Sequence, residues 1–456
     1  MTATPIGPTE RLARFVVRSG GERLDDAMSI RAAIALLDGF GLGLAARGNT
    51  TLDAYVDIVP AIADAAKGAT IWGRSGTVSV LDAVAANALS VHARFQDDCD
   101  MVSWAHPGSL IVPPAVSLGE FVGSDVETVL RAIACGYAVI TWLGGEEVVG
   151  RGVVGRGFRA SPVFGSIGAA ASAAVILGLT QDQTQSALAI SADLTGGVLE
   201  PVGAGADDWR LQNAMAAHRG VMAALVAQRG VIGAPRALEG PNGLLHAFAG
   251  LDEVPEVWQQ DPDVHTMTDV WAKPYPTLGD NMAVTAAALA IHERGLDPAQ
   301  IDSIEVHQNA HFASYPGTSF RGPFERPAQG MASTAFAVSA TLLYGRMDYD
   351  IYRTRLHDGT ITAMIERLHV VPEASYSYVD GLVVVTLRDG SVQEQSAAAL
   401  ARTLFYRDRT SAEEALTAIL AETGYREGLS AALAGAVFSS LGAPTTPIAE
   451  VVRALY

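Results

Sequence analysis

Ile301-Asp-Ser-Ile-Glu-Val-His307 alternates apolar and polar side chains, the pattern of a half-buried strand. It follows residues 1–250, which read as nearly all helix and connecting loop, with a short extended piece and turn over Gly68–Gly76. A second strand reads over Leu382-Val-Val-Val-Thr-Leu387, before the Asp389-Gly390 turn, with helices near 328–344 and 360–368 between the two. Upstream, Lys273-Pro-Tyr-Pro276 is a rigid, extended entry to this region, since each proline restricts itself and the residue before it. Beyond Ser391 the spacing is helical again to Tyr456. The fold class that follows is mainly α, with a large all-helical domain built from both chain ends and a smaller α+β domain inserted. Its parts are expected at 1–264, 265–392 and 393–456.

The helical portion reads as segments at Thr9–Val17, Asp25–Phe40, Asp53–Ala66, Val78–Arg94, Val112–Val122, Ser124–Leu143, Val163–Leu179, Thr184–Ala192 and Asp207–Gly230. Thr180 with Gln183 forms a capping box before the eighth. Gly150–Pro162 reads as a glycine-rich loop, and without a strand leading into it the spacing does not fit a dinucleotide fingerprint. Phe95–Gly108 stands apart as a polar, aromatic, proline-terminated loop between two helices, the setting in which functional groups concentrate.

The 456 residues are 49% hydrophobic and 18% charged, which excludes a disordered chain. Mean hydropathy is +0.23, yet the longest apolar stretch, about 167–179, is mostly Ala, Gly and Ser, so buried small-residue helices are expected rather than membrane spans. A net charge of −18 argues against a nucleic-acid partner. Two cysteines, Cys99 and Cys135, cannot build a disulfide framework or a thiolate zinc site. The opening stretch lacks the apolar core of a signal peptide, and a cytoplasmic protein is expected. Of 31 cations only Lys67 and Lys273 are lysines, leaving 31 − 2 = 29 arginines. A lysine kept in such a chain raises the question of what arginine could not do there.

Several residues could carry chemistry. His106, ahead of Pro107-Gly108, is held at a bend and titrates near neutrality, suiting a general acid or base as well as a hydrogen-bonded loop histidine. Asp97, Asp98 and Asp100 can orient His106 or carry a proton, or simply cap the next turn. Arg159 and Ser161 precede a helix, an anion-friendly geometry, although Arg159 also suits an ordinary surface. Lys273 sits between Val-Trp-Ala and Pro-Tyr-Pro, where partial desolvation would fit it to hold a carboxylate or enolate, with Tyr275 as a proton donor; a snorkelling surface lysine is the alternative. No metal ligands stand at zinc or calcium spacing.

These segments together resemble the MmgE/PrpD family, which contains 2-methylcitrate dehydratase, cis-aconitate decarboxylase and iminodisuccinate epimerase. The matching elements are Asp97-Asp-Cys with His106-Pro-Gly; Gly157-Phe-Arg-Ala-Ser leading into Gly165-Ser-Ile-Gly-Ala-Ala-Ala; Ala214–Ala224; Gly230-Val-Ile-Gly with Leu238-Glu-Gly-Pro-Asn-Gly; Lys273-Pro-Tyr-Pro; and Ala328–Gly345 before Asp348. The resemblance implies a helical domain with an α+β lid, a site between them, a homodimer, and no redox or organic cofactor. It raises His106, Lys273, Asp97 and Asp98 as catalytic residues. It places Cys99 in the pocket, where the family's usual element ends in threonine. Other departures are Arg159 where the family carries histidine, Trp209 with Arg210 where it carries lysine, and Gln212 where it carries histidine. Arg159, Ser161, Trp209, Arg210, Gln212 and Tyr275 are the substrate-binding candidates.

The chemistry so implied begins at a bond next to a carboxylate. A base removes a proton or carbon dioxide leaves, and fixed cations hold the enediolate. A lyase of the dehydratase or decarboxylase type on a small carboxylic acid is the leading expectation. An epimerase using the same proton abstraction comes second, and a non-catalytic binding protein third.

Overall fold

The computed structural model describes residues 6–62 and 68–456, so Lys67 lies outside the described residues. The chain divides into two compact units. One comprises 1–198, 210–271 and 407–456; the other comprises 199–209 and 272–406. The second unit contains most of the 265–392 stretch that reads as α+β in the sequence.

The first unit contains α1 (Pro8–Gly21), α2 (Asp26–Ala45), α3 (Thr50–Ile58), a two-stranded antiparallel ribbon of β1 (Ala69–Thr70) and β2 (Thr77–Val78), then α4 (Val80–His92), α5 (Pro107–Val122), α6 (Val126–Leu143), α7 (Val148–Gly155), α8 (Ala160–Leu177) and α9 (Gln181–Asp193). After α10 (Glu200–Ala204), which belongs to the second unit, α11 (Trp209–Gln228) returns to it. Side-chain caps start several of these helices: Asp25 on α2, Asn49 on α3, Ser79 on α4, Asp125 on α6 and the Thr180–Gln183 box on α9.

Helix α8 is the centre of this unit, packed on α5, α6 and α9. It buries every residue from Ala160 to Ile176. Small residues make that possible. A methyl group on Gly165 would meet the Leu110 side chain at 2.4 Å, and one on Gly220 of α11 would meet the Ser166 carbonyl at 2.4 Å. Among the described residues three helices, α2, α6 and α8, are long and apolar enough to cross a membrane by length and composition, more than the sequence reading allowed; the most apolar window of α8 is 94% buried inside the protein. A helix enclosed on all sides is apolar on all sides, so burial accounts for the composition.

In the second unit, α12 (Met282–Glu293) leads to β3 (Ile301–Asn309), α13 (Ala310–Ser314), α14 (Pro327–Ala332), α15 (Thr334–Tyr344), α16 (Tyr349–Thr354), α17 (Gly359–Glu366), β4 (Leu368–Glu373), β5 (Gly381–Leu387), β6 (Val392–Ser396) and α18 (Ala398–Phe405). The sheet order is β4-β3-β5-β6, parallel between β3 and β4 and antiparallel elsewhere. Pairing Val306 with Val383 and Ile304 with Val385 puts the buried apolar positions of both strands on one face, which α12 covers. Finally α19 (Arg409–Glu422), α20 (Leu429–Ser440) and α21 (Ile448–Val452) complete the first unit, α19 and α20 packing on α2.

Four segments differ from the sequence reading. The glycine-rich stretch over 148–155 is helix α7, not loop. Helix α2 runs through Gly41 and Gly43, because Leu416 and Trp72 pack against those bare positions. The region expected to carry two strands carries four, and 392–396, expected to be helical, is the edge strand β6. The segment expected to be helical over 53–66 is helical over Thr50–Ile58, with 63–67 outside the described residues.

Candidate active site

The loop between α4 and α5 is pinned at every turn. Phe95 and Trp104 both take positive φ, 55° and 62°, uncommon for bulky residues. Asp100 folds the loop back on itself: its carboxylate accepts from the Val102 N–H at 3.0 Å and the Ser103 hydroxyl at 2.5 Å, and its own N–H donates to the Ala105 carbonyl. Burial raises its pKa. Cys99 exchanges both backbone hydrogen bonds with Trp271, at 2.8 and 2.9 Å, and its buried thiol lies 3.6 Å from the Met101 sulfur.

Asp98 works in two directions. Its carboxylate accepts from the Gly108 N–H and the Tyr137 hydroxyl, both at 2.6 Å, which ties the first turn of α5 to α6. Burial pushes this carboxyl up to about 6, against the pull of those two donors and of Arg31. Its main-chain oxygen receives His106 Nδ1 at 2.8 Å. A carbonyl can only accept, so Nδ1 carries hydrogen, and the ring nitrogen whose chemistry allows it to take up a proton is Nε2.

His106 is the N-cap of α5 and is 7% exposed. The backbone on both sides of its ring is held. Its N–H donates to Ser161 Oγ at 3.1 Å, and its carbonyl accepts from Ser109, which in turn receives Asn213 at 2.9 Å. Its ring lies 5.1 Å from Phe95 and 5.2 Å from His92, centre to centre.

His92, the last residue of α4, is fully buried. Its Nδ1 lies 2.9 and 2.8 Å from the two oxygens of Asp97, and its Nε2 lies 2.6 Å from Arg159 Nη2. Arg159, at the N-cap of α8, places Nη1 3.4 Å from Gln212 Oε1, and Gln212 donates to the Val198 carbonyl at 2.9 Å. Arg210 donates through Nε to the carbonyl of Ala93 at 2.9 Å, holding the chain just after α4.

The first unit thus gathers the buried His106, Asp97, Asp98, Arg159 and Ser161, with the half-buried Gln212 beside Arg159, into two hydrogen-bonded groups that meet where the His92 and His106 rings lie 5.2 Å apart. Asp97 holds His92, and Asp98 reaches the His106 ring through its main chain while its carboxylate goes to Gly108 and Tyr137. Sequence reasoning missed His92, Phe95, Tyr137 and Asn213. The one available signal for His92 was a histidine closing a helix five residues before Asp97.

Lys273, Tyr275 and Trp209 belong to the second unit. Lys273 is 1% exposed, which rules out the snorkelling surface lysine. Its segment is fixed by a small polar frame. Asn281 donates to Thr277 Oγ1 and the Ala332 carbonyl, both at 3.0 Å, and accepts from Thr334 at 2.8 Å, while Thr277 donates to the Met331 carbonyl at 2.7 Å. Desolvation pushes the Asp280 carboxyl up to about 7, although part of the residue's surface stays open and the Lys273 charge opposes the rise. Burial, aided by Glu293, pushes the Tyr275 hydroxyl up to about 12, so it stays protonated at neutral pH. Trp209, 4% exposed, opens α11.

Residues 10–256, more than half of the chain, match the MmgE/PrpD N-terminal domain. The chain is also 25% identical over 443 residues, 87% of each chain, to a protein of Aspergillus oryzae (strain ATCC 42149 / RIB 40) named cis-aconitate decarboxylase-like protein oryM. With the helical unit, the small α+β unit and the buried histidine–carboxylate loop described above, these matches identify the chain as a member of the MmgE/PrpD family.

Proposed function

We propose that this protein is a lyase of the dehydratase or decarboxylase type that acts on a small carboxylic acid, using side chains alone. The observation that supports this most is the setting of His106. A buried imidazole with one nitrogen committed to a carbonyl has a single nitrogen, Nε2, through which to move a proton, and it stands in a cluster that also holds a buried guanidinium. The name of the Aspergillus relative points to the same class of reaction.

His106 is the proton carrier, and Arg159 and Lys273 hold carboxylate oxygens. In an elimination, Nε2 takes the proton next to the carboxylate, the electron pair forms the alkene, and hydroxide leaves from the neighbouring carbon. In a decarboxylation, the carbon–carbon electron pair stays with the substrate as carbon dioxide departs, and a proton from the imidazolium fills it. Elimination puts added charge on the carboxylate beside the reacting carbon, and decarboxylation puts it on a second, conjugated carboxylate that stays with the substrate; preorganised cations stabilise either. Tyr275, held protonated, is a donor for a leaving oxygen. Cys99, Ser161, Trp209, Arg210 and Gln212 line or brace the substrate site.

The test is NMR in deuterated water with cis-aconitate first and a panel of hydroxy acids beside it. Loss of carbon dioxide or water is expected, and His106→Gln should lower kcat by about 10²–10⁴-fold. Deuterium exchange without net product would instead support an epimerase. Neither exchange nor elimination with any acid would leave the binding-protein reading.

A further inference from the structure

We propose that His92 is a positioning residue, held at neutral pH as the uncharged Nδ1–H tautomer between Asp97 and Arg159, so that the neighbouring imidazoles of His92 and His106 are not an acid–base pair. This deepens the reading above and assigns the proton transfers to His106.

The geometry decides the tautomer. A guanidinium has five N–H donors and no acceptor. With Arg159 Nη2 at 2.6 Å, His92 Nε2 must be the acceptor; a hydrogen on it would set donor against donor and cation against cation. The ring's one hydrogen is then on Nδ1, where Asp97 receives it with oxygens at 2.8 and 2.9 Å. Asp97 alone would favour an imidazolium. Arg159 opposes that, and it carries its charge at every working pH. The three side chains are 1%, 0% and 3% exposed for Asp97, His92 and Arg159, so neither contact is diluted by water. The cluster is an ion pair relayed through a neutral ring, and it fixes the guanidinium plane from one side while Gln212 approaches from the other. Arg159 stands where the family resemblance expects a histidine. A residue that could titrate has become a fixed cation, suited to a carboxylate oxygen, and His92 is its anchor.

The full-length protein labelled with ¹⁵N-histidine tests this at pH 7.5 by long-range ¹H–¹⁵N correlation. The His92 signals are identified by their loss in His92→Gln or, should that variant not fold, as the imidazole in contact with the Phe95 ring, 5.4 Å away, that remains once the His106 signals, whose ring lies 5.1 Å from Phe95, are assigned by their loss in His106→Gln. The expected pattern is one bare nitrogen, Nε2, and one protonated nitrogen, Nδ1. Arg159→Lys keeps a donor and should preserve that pattern; Arg159→Met should add a hydrogen on Nε2 while Nδ1 keeps its own, giving an imidazolium beside Asp97. A protonated Nε2 in the unsubstituted protein overturns the proposal, as does an unchanged pattern in a folded Arg159→Met. No substrate is needed, so a failure to find turnover sinks the lyase reading and leaves this one standing, and the reverse holds.

Discussion

Asp98 shows how one residue can serve the site and tax the fold. Its carboxyl rises from an ordinary 3.8 to about 6 because burial penalises the charge. Between those pH values the folded protein holds a proton that the unfolded chain releases, so stability from this group falls as pH rises through the window. Above pH 6 the buried charge costs about 3 kcal/mol. Asp98→Asn keeps the acceptor for Gly108 and can donate to Tyr137. It should therefore gain roughly 2–3 kcal/mol on the unsubstituted protein between pH 4 and pH 7.5, read by denaturant unfolding at each pH. A stability difference that stays constant over that range would refute the assignment; Asp100 and Asp280, shifted the same way, cancel in the comparison. Lys273 makes a second residue-scale case. In a chain so rich in arginine, Lys273→Arg would be silent at a surface, but at 1% exposure the larger, flatter guanidinium cannot take the same place. A fall of about 10²-fold or more in kcat/KM is expected, about 2.7 kcal/mol of transition-state stabilisation, with the unfolding midpoint as the check on folding. Near-normal turnover would remove Lys273 from the mechanism. His106, Lys273 and the aspartates could be singled out in the sequence because polar loops and rare residue types stand out. His92 could not, because it closes an alanine-rich helix and its partners lie 5 and 67 positions away.

At the scale of elements, the reading worked where periodicity was long and failed where glycine or an edge intervened. Helices α5, α6, α8 and α11 followed from apolar spacing. Helix α7 did not, because Gly150, Gly152 and Gly155 read as breakers; two of them are there for contact instead, with a Cβ at Gly152 falling 2.6 Å from the Ala249 carbonyl and one at Gly150 3.2 Å from that of Ser103. Strand β6, Val392-Gln-Glu-Gln-Ser396, is a mostly polar edge strand with one neighbour, and β4 carries Pro372; neither shows strong alternation. The same close contacts make a prediction about α11. Gly220→Ala would set a methyl 2.4 Å from the Ser166 carbonyl and 2.5 Å from Ala169 Cβ, with backbone on one side that cannot swing away. A loss of about 1–3 kcal/mol or more is expected in thermal or denaturant unfolding. Gly155→Ala, with open space around the added methyl, should instead be neutral or gain up to about 1 kcal/mol through helix propensity. Equal effects of the two substitutions would show that propensity, not packing, governs these helices.

For the whole molecule, the mainly-α class with a small α+β part was legible because the change from helical to alternating texture spans more than a hundred residues; α18, helical at the end of the second unit, carries no such change of texture. Assembly is the remaining expectation at this scale. The composition is 49% hydrophobic, and the first unit exposes apolar side chains that an interface between two chains would cover: Ile232 is 87% exposed, Val198 54% and Val231 50%. Ile232 also borders a groove lined by Ile190, Leu244 and Phe248 of the same unit. A stable pair of chains needs about 1,200–2,000 Å² of buried surface, and symmetric dimers are the commonest solution. Sedimentation equilibrium at micromolar concentration should therefore give 2 × 47.6 = 95.2 kDa. Val231→Glu combined with Ile232→Glu should lower that mass toward the monomer, since each places a charge where an apolar contact would form. If the unsubstituted protein sediments at 47.6 kDa, the dimer is wrong. If the doubly substituted chain stays at twice that mass, the dimer forms through a different face, and the exposed apolar residues at 198 and 231–232 need another explanation.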